Sequence, residues 1–112
     1  MDDELRGRVE AELGRAERAR RAGQEGRARV CARRAAGWSL QAYFRRRTGR
    51  PAPENALDLL RWLQSDVEAP QHLRLAAERL TARVTQDFRL PHQEDPLDDA
   101  RRIVDAYGAG AP

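Results

Sequence analysis

The side chains that could do nucleophilic or acid–base chemistry are few: His72 and His92, Cys31, Ser39 and Ser65, and the carboxylates. His92 is the best placed, in the stretch LPHQED, with Glu94 and Asp95 beside it and Asp98 and Asp99 just beyond. A histidine among carboxylates could hold a divalent cation or move a proton. The same acids also suit the cap and first turn of a following helix, where backbone N–H groups and the helix dipole favour negative charge. That simpler role is the one expected of them, so no metal site is predicted. Neither serine has a histidine nearby in sequence. No paired-cysteine, HExxH, glycine-rich phosphate loop or nucleophile-elbow spacing occurs. The residues therefore point away from an enzyme, and no cofactor is implied.

The other reactive group is arginine. All 21 basic residues are arginine and none is lysine. Guanidinium groups grip phosphate and carboxylate bidentately, but a composition rich in alanine and arginine also follows from codon bias. The net charge of +3 conceals an asymmetry. Residues 1–50 carry 14 arginines against 7 acids, and residues 51–112 carry 7 arginines against 11 acids. A basic half and an acidic half could bind nucleic acid, each other, or a second copy of the chain. Arg45, Arg46, Arg47 and Arg50 cluster in RRRTGR and are the candidate ligand-binding residues. The dipole at a helix C-terminus also favours cations there, which supplies a structural reason for some of them.

These residues need elements to position them. Strand signals are nearly absent, and punctuation divides the helical pattern into five. The first helix is expected from about Asp3 to Ala22, with Leu5, Val9, Leu13 and Ala16 as its stripe. Gly7 and Gly14 lie on its far face, either tolerated or closely approached by a partner. The second is expected over Arg27–Thr48, capped by Gly49. Wound at about 100° per residue, it places Cys31, Ala35, Trp38 and Ala42 on one stripe and Val30, Gly37 and Phe44 on another. That pattern makes it a central helix, with Ala35, Ala36 and Gly37 small enough for close approach. Its arginines fall on separate edges, Arg29, Arg33 and Arg47 on one and Arg27, Arg34 and Arg45 on another, so they form no continuous basic face, which weighs against a nucleic-acid-binding helix. The third helix is expected over Glu54–Val67 and the fourth from Pro70 to Phe88. The fifth begins at the Asp95 cap, with Pro96 in its first turn and Leu97, Ala100, Ile103, Val104 and Tyr107 on its stripe. The expected fold is all-α, an up-and-down bundle of about five helices. Residues 1–107 form one domain and 108–112 a disordered tail.

A single cysteine excludes an internal disulfide. No run approaches transmembrane length, and the N-terminus lacks the apolar core of a signal peptide. A cytoplasmic protein with no membrane partner is expected, and a domain this small is a candidate homodimer.

Two stretches resemble HEPN domains (higher eukaryotes and prokaryotes nucleotide-binding). RARVCARRAAGWSLQAY at 27–43 is similar to their second helix. AAERLTARV at 76–84, followed by FRLPH and DPLDDARRIVDAY at 95–107, is similar to their closing helix, proline-containing loop and last helix. The resemblance implies a bundle of four or five helices, frequent homodimers, and RNA cleavage or partnership with a nucleotidyltransferase. The family's ribonuclease pattern places histidine four to six residues after arginine. Here Arg89 has two residues between it and His92, and Arg83 has eight, so the resemblance implies a non-catalytic member. The expected function is a helical domain that binds RNA, a nucleotide or a nucleotidyltransferase-type partner. The alternatives are an interaction module with no nucleic-acid role, its arginines paired internally as Arg74 with Glu78, and a weak metal-independent ribonuclease using Arg83, Arg89 and His92.

Overall fold

The computed structural model describes residues 3–82 and 95–108. Among them are six helices and no strand: α1 (Asp3–Arg21), α2 (Glu25–Ser39), α3 (Gln41–Thr48), α4 (Ala56–Ser65), α5 (Gln71–Thr81) and α6 (Pro96–Tyr107). The expected all-α bundle is there. The second of the five expected helices is divided at Leu40 into α2 and α3.

The division has a local cause. Ser39 Oγ donates to the Ala36 carbonyl (2.7 Å), and the Leu40 N–H reaches back only three residues to Gly37 O (3.0 Å). Gly and Ser in one turn are a common origin of helix kinks, because a side-chain donor competes for the carbonyl and glycine offers no resistance. The helix resumes with the Phe44 N–H on Leu40 O and ends at Gly49, whose φ of +70° is the expected left-handed cap.

The third and fourth expected helices differ at their ends. The third expected helix is shorter, because Asn55 caps it by accepting the Leu57 N–H (2.8 Å) and Asp66 turns extended. Pro70 is the N-cap of α5 rather than part of its first turn, and Ala82 is extended, so α5 stops at Thr81. The expected continuation through Val84 and Phe88 lies outside the described residues. At α6 the expectation holds: the Asp95 carboxylate accepts the Leu97 N–H (2.9 Å), with Pro96 opening the first turn.

α2 is the central element, packed on α1, α4, α5 and α6. Its Ala28, Cys31, Ala32, Ala35 and Ala36 are buried, as are Val9 and Leu13 of α1, Leu59, Leu60 and Leu63 of α4, and Ile103 of α6. Small side chains let neighbours come close. A methyl added at Gly37 would lie 2.5 Å from Ala56 Cα and 2.6 Å from Ala56 O, so α4 rests directly on the α2 backbone. The glycines of α1 behave differently: nothing lies within 4 Å of a methyl built on Gly7, and Gly14 would meet only the tip of Arg18. That face is tolerated and has no close neighbour among the described residues.

Buried charge ties the helices together. Asp99, fully buried in the first turn of α6, accepts both Arg79 Nε and Nη2 at 2.9 Å and Arg102 Nη1 at 2.9 Å. Arg20, at the end of α1, donates to Asp95 (2.6 and 2.8 Å) and to Glu25 (3.0 and 3.2 Å). One guanidinium thus joins the end of α1, the start of α2 and the cap of α6. Its hydrogen bond holds the Asp95 carboxyl below the usual carboxylate range, against burial. Arg29 corrects the sequence reading, which put it on a solvated edge. It is only 3 % exposed, and its Nη2 donates to the carbonyls of Arg79, Leu80 and Ala82 at the end of α5. Burial, and then Arg33, push its pKa down, while Asp99 opposes them. An arginine keeps its charge in such a place, and here the carbonyls that a helix end leaves unpaired stabilise it.

Candidate nucleic-acid interface

The turn Ala22–Gln24, with Gly23 at φ +77°, folds α2 back along α1. The register is marked by cross-helix contacts: Glu12 lies against Arg34, and Arg8 lies over Trp38 with 4.7 Å from guanidinium carbon to ring centroid. Residue numbers fall along α1 as they rise along α2, so the pair is antiparallel. In this register Arg15 and Arg18 of α1 and Arg27 and Arg34 of α2 come to one side of the hairpin. Seven-residue spacings, Arg8 to Arg15 and Arg27 to Arg34, keep each set on one face of its helix.

Three recesses follow one another there, each sharing lining residues with the next, and together they are called the groove. The first, about 220 Å³, is lined by Arg15, Arg18 and Arg27. The second, about 510 Å³, shares Arg15 and Arg27 and adds Glu12, Val30, Cys31 and Arg34. The third, about 390 Å³, shares Val30 and Arg34 and continues to Arg33, Trp38 and the start of α4. From Arg27 to Trp38 the groove follows α2 for roughly 16 Å at ~1.5 Å per residue.

Its electrostatics are uneven. Glu12, 2 % exposed, takes Arg15 at 2.6 Å and Arg34 at 3.6 Å, fixing one guanidinium from each helix across the groove floor. Arg18, Arg27 and Arg33 have no carboxylate partner among the described residues. Arg33 Nε is buried with no hydrogen-bond partner, and burial, then Arg34, push its pKa down. Cys31 opens into the middle recess, where burial and then Glu12 raise its thiol above the ordinary range despite the arginines nearby. A thiol so shifted stays protonated at neutral pH and is a poor nucleophile. The groove offers donors and positive charge, which suits binding an anion.

The residues proposed from sequence fall elsewhere. Arg45, Arg46, Arg47 and Arg50 lie exposed at the end of α3. Arg47 is engaged internally, with Glu68 at 2.9 Å and Asp66 at 3.3 Å. Arg50 stacks over Phe44 at 5.9 Å. Asp66 also accepts the Tyr43 hydroxyl at 2.6 Å, and Tyr43 packs against Trp62 and Tyr107, so the aromatics serve packing. Arg83, Arg89 and His92 lie outside the described residues. His72 is exposed in the first turn of α5. Asp95, Asp98 and Asp99 have the structural roles expected of them, as cap and first-turn groups, and Glu94 lies outside the described residues. Arg74 forms no ion pair with Glu78, and its Nε is buried unpartnered.

Sequence reasoning missed two things. Arg29 is hidden by the row Ala28, Ala32, Ala36, which makes α2 small-sided almost all round and leaves it little solvated edge. The groove is not visible in α2 by itself, because its basic face exists only when α1 lies beside it. Among the described residues no group of three or more His, Cys, Asp or Glu side chains could hold a metal, and no helix is long and apolar enough to cross a membrane. No family model matches the chain, and no match to it was found among curated proteins or solved structures. Fold and site together describe an all-α bundle with a basic groove along its N-terminal hairpin.

Proposed function

We propose that this domain binds single-stranded RNA, without cleaving it, along the α1–α2 groove. The observation that carries this reading is the presence of Arg18, Arg27 and Arg33 in one groove with no carboxylate partner among the described residues. Uncompensated guanidinium groups at successive levels of a hairpin match a phosphate backbone, which supplies bidentate acceptors along its length. The Glu12 bridges hold Arg15 and Arg34 in place before any ligand arrives, which lowers the ordering cost of binding. Kinship with HEPN domains, a homodimer, a nucleotidyltransferase-type partner and cytoplasmic residence fit this reading and remain expectations from sequence.

The test is fluorescence anisotropy of a labelled U-rich nonamer at increasing salt. Three to five phosphate contacts on a single strand predict a log–log slope of about −2 to −3.5, or roughly 20- to 100-fold weaker binding between 50 and 200 mM salt. The double variant Arg18→Gln, Arg27→Gln should weaken binding and flatten the slope by about 1.4. Salt-independent binding, or none, would refute the proposal.

A second reading has its own support. Arg15, Arg20, Arg34, Arg47, Arg79, Arg101 and Arg102 all pair with carboxylates of the same chain. Internal pairing is what an interaction module with no nucleic-acid role would show. The same titration separates the two.

A further inference from the structure

The recess at the far end of the groove differs in chemistry from the rest, and we infer that it is a nucleobase pocket selective for guanine; this rests on the RNA reading above. The recess lies between α2 and the start of α4 and holds about 390 Å³, at the small end of the range for ligand pockets. Its walls are Trp38, Arg33, Arg34, Glu54 and Asn55.

The recess brings together an aromatic ring, donors and a carboxylate, a combination that a base can use and a phosphate alone cannot. Trp38 is half-buried and packed on the core, so its ring is held in place. Arg8 stands over that ring at 4.7 Å and does not itself line the recess. Aromatic rings in such positions are platforms for unstacked bases. Asn55 is oriented by the helix it caps: its Oδ1 accepts the Leu57 N–H at 2.8 Å, which leaves its amide N–H₂ as the available donor. Arg33 brings a buried Nε with no partner.

Glu54 is the telling residue. It is exposed, it lines the recess, and it has no ion pair among the described residues although Arg33 and Arg34 line the same recess. A bare carboxylate at the end of a cationic groove repels a phosphate backbone. It becomes favourable when it receives hydrogen bonds from a base edge. Guanine is the base with two adjacent donors, N1–H and the exocyclic N2–H₂, matching the two oxygens of a carboxylate, and its O6 is an acceptor for Asn55 or an arginine. Adenine and cytosine offer the carboxylate one amino group. Uracil flanks its single N–H with two carbonyl oxygens that the carboxylate repels.

The experiment compares four labelled nonamers that differ only at the centre, U4GU4, U4IU4, U4AU4 and U9, with I for inosine, which lacks the exocyclic amine. At one salt concentration U4GU4 should bind about tenfold tighter than U9, and U4IU4 should lose most of that gain. Glu54→Gln should remove the preference, and because it also removes a charge that repels phosphate, U9 should bind the variant no more weakly than the wild type and should still weaken as salt rises. Glu54 is exposed outside the helix, and unchanged circular dichroism would establish that the variant folds. Trp38→Leu should also reduce the preference. If all four nonamers bind equally with the salt slope intact, the guanine pocket is refuted and the RNA groove stands. If the preference survives Glu54→Gln, the pocket is refuted as well. If no nonamer binds, both readings fail.

Discussion

Replacing Gly37 with alanine tests the packing on which the central helix depends. The added methyl would stand 2.5 Å from Ala56 Cα and 2.6 Å from Ala56 O, whereas favourable carbon contacts lie at about 3.5–4.0 Å. The obstacle is backbone, at the start of a helix held by its Asn55 cap, so no side chain can swing aside. α2 and α4 must separate by about 1 Å. Overpacking of this kind costs roughly 1–3 kcal/mol, and the overlap with backbone places it near the upper end. Alanine in place of glycine within a helix returns about 1 kcal/mol. The net expectation is a loss of about 2 kcal/mol. Gly7→Ala is the matched control: nothing lies within 4 Å of its new methyl, so it should stabilise by up to about 1 kcal/mol. Urea denaturation followed by circular dichroism should separate the two variants by about 3 kcal/mol at similar m-values. Adding Ala56→Gly to Gly37→Ala should recover only part of the loss, because the Ala56 Cα and carbonyl remain in the way. If Gly37→Ala proves as stable as Gly7→Ala, the direct seating of α4 on α2 is wrong.

Both tyrosines should titrate late. Burial, and then the hydrogen bond to Asp66, push Tyr43 up to about 12, and burial raises Tyr107. Tyrosinate absorbance near 295 nm should therefore be small at pH 10, where a free tyrosine is half ionised. Because these folded pKa values exceed the unfolded ones, the stability they contribute is complete below about pH 10 and declines as pH rises towards them. Half-ionised tyrosine at pH 10 in folded protein would contradict the packing of Tyr43 on Tyr107. At Asp95 the cap and the ion pair can be separated. Asp95→Asn keeps a capping oxygen and loses the charge opposite Arg20, while Asp95→Ala loses both and should be about 1 kcal/mol less stable than the Asn variant. Asp95 titrates below its unfolded value, so its contribution is present above about pH 4 and fades as pH falls further. In acid the wild type and Asp95→Asn should converge, and a constant difference from pH 7 to pH 2 would remove the Arg20 bridge from the account.

Much of the fold was legible because its signals are local. The Asp95–Pro96 start, the Gly49 stop and the apolar stripes of α1 and α6 need only neighbouring residues to specify them. The Gly37 contact was foreshadowed by AAG in the middle of a helix apolar on two sides. Less legible was anything set by tertiary partners. The Leu40 break follows from a serine hydroxyl choosing a carbonyl three residues back, which helical periodicity does not encode. Arg29 reads as solvated from its charge alone, and only the α5 carbonyls that receive it, which lie some fifty residues away in sequence, make its burial favourable. The groove arises from two helices, each of which carries too few arginines on one face to be noticed alone.

The break at Leu40 also divides the molecule dynamically. α2 is enclosed by α1, α4, α5 and α6, whereas α3 beyond the break packs mainly through Phe44 and Tyr43 and leaves its last turn exposed. A helix of eight residues is too short to hold itself in water. α3 can therefore open as a unit at a free energy well below that of the whole bundle, with Ser39 and Leu40 as the point where opening stops. Amide protons of Arg45 to Thr48 would exchange early and those of Ala32 to Ala36 with global unfolding. The arginine cluster of α3 thus sits on a short helix beyond the break, held by Phe44, Tyr43 and the Arg47 ion pairs, while the groove of α1 and α2 sits on the helices that enclose the core.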